Sequence, residues 1–183
     1  MADIFTASPK RLKIWFWLLL LLNAIFITWS RFYLAPLSSG DIIQFEIAKN
    51  VDIAAQILSD WSLVPGKTQK AIESIYIDYV FIALYTLGLA VSCMYLSQVS
   101  GQEVLIKAGK FLIFLIVGVG ICDVIENIAM MKSFNGSLTG GSVRLAYDMA
   151  VAKFSVIILC ILFIMVCLVF LVFNKPEAKI QYT

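Results

Sequence analysis

Four long apolar runs divide the chain, at about residues 12–34, 75–97, 109–131 and 145–173. A helix rises about 1.5 Å per residue, so roughly 20 apolar residues cross a hydrocarbon core about 30 Å thick. Each run therefore predicts a transmembrane helix. The fourth is the longest, and its purely apolar part extends from Phe154 to Phe173. Its first turns are expected to project beyond the hydrocarbon or to belong to a tilted helix. The first run follows Lys10, Arg11 and Lys13 in the manner of a signal peptide. It is longer than the roughly 7–15-residue core of such a peptide, and Tyr33-Leu34-Ala35-Pro36-Leu37 offers no small-x-small cleavage site, so it is read as a retained helix. The expected fold is an all-α membrane protein, a single four-transmembrane-helix bundle with an amphipathic extracytoplasmic loop segment between helices 1 and 2.

That loop, about residues 35–74, is patterned. Ile43, Phe45 and Ile47 alternate with Gln44 and Glu46, which predicts a short extended segment. Asn50 is placed to cap a helix from Val51 to about Trp61, with Ile53, Ala54, Ile57, Leu58 and Trp61 on one face and Asp52, Gln56 and Asp60 on the other. Pro65-Gly66 ends it. Such a segment is expected to lie flat on the outer end of the bundle or in the interface. The later loop Asn135-Gly136-Ser137-Leu138-Thr139-Gly140-Gly141-Ser142 reads as a flexible connection, with glycines at no phosphate-cradling spacing.

Composition sharpens the reading. Of 183 residues 61% are hydrophobic and 14% charged, with a mean hydropathy of +0.93; soluble domains carry about a quarter charged residues. A net charge of +2 without a basic patch sets nucleic acid aside. Histidine is absent, which disfavours haem on histidine ligands, histidine zinc sites, the histidine di-iron site of helix bundles and Ser-His or Cys-His nucleophiles. No cofactor is identifiable. Cys93, Cys122, Cys160 and Cys167 sit inside apolar runs without a C-x-x-C pair, so they read as small hydrophobes rather than redox groups.

Orientation follows from the cations. Lys10, Arg11, Lys13, Lys107, Lys110, Lys175 and Lys179 fall on one side of the four spans, against Lys132 and Arg144 at the ends of the short third loop. Lys49, Lys67 and Lys70 in the long loop are offset by Asp41, Glu46, Asp52, Asp60 and Glu73. The positive-inside rule then expects both termini in the cytoplasm and a multi-pass place in the cell (inner) membrane.

With that orientation, polar side chains gather near the outer ends of the helices. Ser30 and Arg31 end the first, with Asn23 one heptad below Ser30; Asp78 and Tyr79 open the second, continued by Tyr85 and Ser92. Asp123, Glu126 and Asn127 stand at i, i+3 and i+4 on the third, after twelve apolar or glycine residues from Phe111 to Cys122. Tyr147, Asp148 and Lys153 lie at the start of the fourth. Charges facing lipid are costly, so these groups are expected to converge on a polar interior, with Gly118 and Gly120 admitting a close neighbour to the third helix. Asp78, Asp123, Glu126 and Asp148 outnumber Arg31 and Lys153 by two, an excess that must be protonated, hydrated or matched by a bound cation. The candidate ligand-binding set is Asp78, Tyr85, Asp123, Glu126, Asn127, Asp148, Arg31 and Lys153; no metal ligand set is diagnosable. A network that only fixes helix order is the competing reading.

Tyr147-Asp148 and Gly118-Val119-Gly120-Ile121-Cys122-Asp123 are similar on the surface to the motifs of intramembrane aspartyl proteases, but in reversed order and with two intruding residues. Phe45-Glu46-x-Ala48, Trp61, Asp78-x-x-Phe81 with Tyr85, and Asp123-x-x-Glu126-Asn127 together resemble a group of small bacterial four-helix membrane proteins of unassigned function. The resemblance implies a bacterial inner-membrane setting and the same topology, and no activity. Three functions remain open: a carboxylate-rich cavity binding a metal ion, organic cation or lipid headgroup; an accessory subunit with a membrane partner, against which a homo-oligomer is the contrast; and an enzyme acting on a lipid, with Glu126 beside Asp123 as its acid or base.

Overall fold

The computed structural model describes residues 8–173. They form six helices: α1 (Pro9–Tyr33), α2 (Ser39–Glu46), α3 (Val51–Ser62), α4 (Lys67–Ser100), α5 (Glu103–Phe134) and α6 (Gly140–Phe173). Four of them, α1, α4, α5 and α6, are long and apolar enough to cross a membrane. The last three exceed the apolar runs, because each continues as polar helix beyond its hydrophobic part. Lys175 and Lys179 aside, every residue named above lies in α1–α6 or their connections; those two fall outside the described residues.

The first loop departs from expectation. The segment expected to be extended at 43–47 is instead the C-terminal part of α2 with its C-cap, Ile47. Local capping decides this: the Ser38 side chain accepts from the Asp41 amide (3.2 Å), while the Ser38 amide donates to Asp41 Oδ2 (2.8 Å). This reciprocal box satisfies amides that would otherwise be orphaned at the helix start. In α3, Asn50 Oδ1 accepts from the Ile53 amide at 3.0 Å. After α3 the chain turns at Gly66, whose φ of +79° suits a residue without Cβ. The third connection is short, because α6 starts at Gly140, where Thr139 and Ser142 cap one another through Ser142 N–Thr139 Oγ1 (3.1 Å) and Thr139 N–Ser142 Oγ (3.2 Å).

α4, α5 and α6 pack together, and α1 lies chiefly along α4. Asn23 fastens α1 there, donating to the backbone carbonyls of Leu19 (2.8 Å) and Leu84 (3.1 Å). Two apolar clusters fill the interior. One joins Leu37, Phe45, Ala54 and Trp61 of the α2–α3 region to Ala71, Ile75, Met130 and Val143. Phe45 lies 5.8 Å from Trp61 and 4.9 Å from Phe134, centroid to centroid, so the two short helices cap the bundle at the Phe134 end. The second cluster, with Leu12, Met94, Ile113 and Cys160, fills the opposite half. Close approach of α4 and α5 occurs at Gly109, where a Cβ would stand 2.8 Å from Ser97 Oγ and 3.2 Å from the Cys93 carbonyl. Gly118, expected to admit a neighbour, faces open space, and a Cβ at Gly120 would make only ordinary contact with Thr86 at 3.4 Å.

Candidate functional site

Between the two apolar clusters lies a buried polar layer built from four helices. From α5 come Asp123, Glu126 and Asn127, all buried. Their i, i+3, i+4 spacing aims them inward together, because short side chains cannot escape to water. α4 supplies Asp78 and Tyr85, two turns apart, and α6 supplies Lys153. The fourth contributor is α2: Glu46, at its C-terminal residue, is 7% exposed.

Lys153 is the centre. Its Nζ lies 2.8 Å from Asp123 Oδ1, 3.0 Å and 2.9 Å from Glu126 Oε1 and Oε2, and 3.6 Å from Glu46 Oε2. The other Asp123 oxygen accepts from the Tyr85 hydroxyl at 2.6 Å. Asn127 Nδ2 donates to Asp78 Oδ2 at 2.8 Å, which ties the last acid to the same face. Among the described residues two buried oxygens lack a hydrogen-bond donor, Glu46 Oε2 and Glu126 Oε2. Both are within ion-pair distance of the ammonium, Glu126 Oε2 at 2.9 Å and Glu46 Oε2 at 3.6 Å. Burial pushes the Glu46 carboxyl above its ordinary value, opposed by the Lys153 ammonium and by a hydrogen bond with Glu126.

Of the residues singled out in the sequence, Asp78, Tyr85, Asp123, Glu126, Asn127 and Lys153 are brought together. Asp148 and Arg31 stand apart. Asp148 is exposed and pairs with Arg144 at 2.9 Å, an i,i+4 contact on the outside of α6. It is five residues from Lys153, hence about 140° around the helix. Arg31 is exposed in the last turn of α1 and joins none of the ion pairs of the layer. Glu46 takes the place expected of them. Its i and i−4 register with Ile42 and the Ser38-x-x-Asp41 box were the signals that place it on a helix facing inward. The formal balance is consequently steeper than expected: Glu46, Asp123 and Glu126 contact one ammonium and Asp78 joins the layer through Asn127, four acids to one base, an excess of three if all ionise.

Two hollows open elsewhere, on the outer side of α5. One of about 240 Å³ lies between α5 and α6, bounded by Ile125, Ile128, Lys132 and Leu145. The other, about 340 Å³, lies between α4 and α5, bounded by Tyr76, Tyr79, Ile128 and Lys132. Neither is lined by an acid of the polar layer. Among the described residues no group of three or more His, Cys, Asp or Glu side chains is arranged to hold a metal ion; Lys153 Nζ holds the centre of the carboxylates. Comparison with protein-family models, curated proteins and solved structures gives no match to this chain.

Proposed function

We propose that the chain is a multi-pass inner-membrane protein, both termini cytoplasmic, whose buried carboxylate layer binds a small cationic ligand in competition with the Lys153 ammonium. The observation that carries the reading is four buried or half-buried acids around one buried base. Uncompensated buried charge costs several kcal/mol per ion. The excess must therefore be met by protons or by an incoming cation, and the two exchange. Because no acid of the layer lines either hollow, a small ion fits better than an organic cation or a lipid headgroup. The same fact weakens the enzyme reading, which needs an acid facing a substrate groove.

The test is a titration of purified protein with sodium, potassium, magnesium and calcium salts at fixed ionic strength and weak buffering. One cation should raise the melting temperature and release protons, and Glu126→Gln should lose both responses. If no cation does so, or if Glu126→Gln responds like the parent, the reading fails. A second reading rests on a different observation: the most apolar windows of α1 and α6 are each only 11% buried, against 39% and 28% in α4 and α5. Such faces suit lipid or a membrane partner. Purification in mild detergent separates the cases, because an accessory subunit brings down a stoichiometric partner and a self-sufficient protein runs alone or as a homo-oligomer.

A further inference from the structure

We propose that an anionic two-chain phospholipid sits astride α5 at its C-terminal end, with its phosphate on Lys132 and one acyl chain in each of the two hollows. The hollows share two lining residues, Ile128 and Lys132. They are the two flanks of one ridge. At 100° per residue, Ile121, Ile125, Ile128 and Lys132 lie within about 60° of each other on α5, on the side opposite Asp123, Glu126, Asn127 and Met130. Ile121 and Ile128 are among the exposed large hydrophobics, so the ridge is apolar along its length and carries a cation at its end.

The chemistry at that end selects an anion. Lys132 is exposed and forms no ion pair among the described residues. No carboxylate lines either hollow, while Asn135, Ser137 and Thr139 supply amide and hydroxyl groups at the same level. A lysine two residues from the end of an apolar helix stands where headgroups lie, and its stem spans the distance to the phosphate. The form selects the lipid. Two grooves of about 240 and 340 Å³ flank one cationic ridge; each is near the lower edge of the roughly 300–1,000 Å³ of a small-molecule site, the size for part of an acyl chain and not for a folded partner. A glycerophospholipid has two chains diverging from one phosphate, which matches two flanks diverging from one lysine. This site uses none of the residues of the carboxylate layer and stands or falls independently of it.

The experiment is lipid competition on the full chain, read by native mass spectrometry and by melting temperature. The protein is placed in mixed micelles of phosphatidylglycerol and phosphatidylcholine with identical acyl chains. The parent should retain phosphatidylglycerol about fivefold over phosphatidylcholine, the preference expected of one lysine near an anionic surface, and should melt higher with it. Lys132→Glu should retain the two lipids equally, Lys132→Arg should keep the preference, and Lys107→Glu at the far end of α5 should keep it too. Because each variant is read as a ratio of lipids, a general loss of stability leaves the result legible; Lys132→Gln replaces Lys132→Glu if the latter does not fold. Glycerol phosphate added to phosphatidylcholine micelles should not raise the melting temperature. An equal ratio in the parent, an unchanged ratio in Lys132→Glu, or a full response to glycerol phosphate would overturn the proposal.

Discussion

Replacing Lys153 by methionine removes the only base among the described residues that contacts Asp123, Glu126 and Glu46, while nearly keeping the length of the side chain. Deleting one partner of a buried ion pair typically costs about 3–5 kcal/mol, because the remaining charge is left without compensation. Here two of the three carboxylates approach Nζ within 2.9 Å, and Lys153 is only 6% exposed, so solvent does little to screen the loss. With roughly 2–4 °C of melting temperature per kcal/mol for a chain of this size, the drop should be about 6–20 °C. The assay is thermal unfolding in detergent followed by far-UV circular dichroism. Lys107→Met is the control, since Lys107 pairs with Glu103 in the open, with side chains 74% and 80% exposed, and should change little. The double variant Lys153→Met with Glu126→Gln should recover part of the loss, because one uncompensated carboxylate goes with the base; coupling between contacting residues runs to about 0.5–3 kcal/mol. A drop no larger than the control's, or strictly additive losses in the double variant, would refute the picture of Lys153 as the centre of a charged layer.

Other consequences are as direct. Glu46→Gln should flatten a pH dependence in the docking of α2: with its folded pKa raised, Glu46 favours the docked state below its ordinary value of 4.5 and loses that contribution as pH rises through the raised value. Hydrogen exchange of the α2 amides, corrected for intrinsic rates, should show protection falling from pH 4.5 upwards in the parent and staying level in the variant; the groups facing Glu46 are Lys153 on α6 and Asp123 and Glu126 on α5. Gly109→Ala should cost about 1–3 kcal/mol, as the new methyl meets the Cys93 carbonyl, and Gly118→Ala, facing open space, should cost nothing comparable in the same melting assay. Reporter fusions after Ser100 and after Gly140 should read cytoplasmic and external respectively; the reverse would invert the proposed orientation.

The long helices and the inward face of α5 were legible in the sequence for the same reason. Hydrophobic runs and i, i+3, i+4 polar triplets carry their meaning within one helix, and no knowledge of neighbours is needed. Lys153 and Asp78 were legible because depth along a span follows from counting residues. What depth does not contain is azimuth. Asp148 has nearly the depth of Lys153 yet lies about 140° around α6, where Arg144 one turn earlier meets it. Arg31 has the depth but belongs to α1, which leans on α4 and leaves the end of its last turn exposed. Glu46 was hidden for another reason. Over residues 43–47 alternation suggests an extended chain, whereas Ser38 and Asp41, outside that window, start the helix. A window of five residues sees periodicity and misses the cap that overrules it.

The position of Glu46 also bears on how the buried layer is closed. The spans around Asp123 and Glu126 are closed by apolar packing on both sides, with Met130 and Val143 towards one end and Met94 and Ile113 towards the other. α2 is the one contributor that is not itself long enough to cross a membrane, and it brings Glu46 to 3.6 Å from Lys153 Nζ. Two contacts with opposite pH dependence hold α2 in that place. Burial pushes the Asp41 carboxyl up, but hydrogen bonds from Lys67, at 2.8 Å, and from Ser38 outweigh it and hold Asp41 below its ordinary 3.8. That latch to α4 is present above 3.8 and fails as pH falls through the lowered value. The Glu46 contact behaves the other way and weakens as pH rises. A rise in pH above 4.5 therefore acts against the inner contact and leaves the latch in place. The two ends of α2 thus answer pH differently: the Asp41 end is lost on acidification, and the Glu46 end, which lies over the carboxylates, is opposed by rising pH.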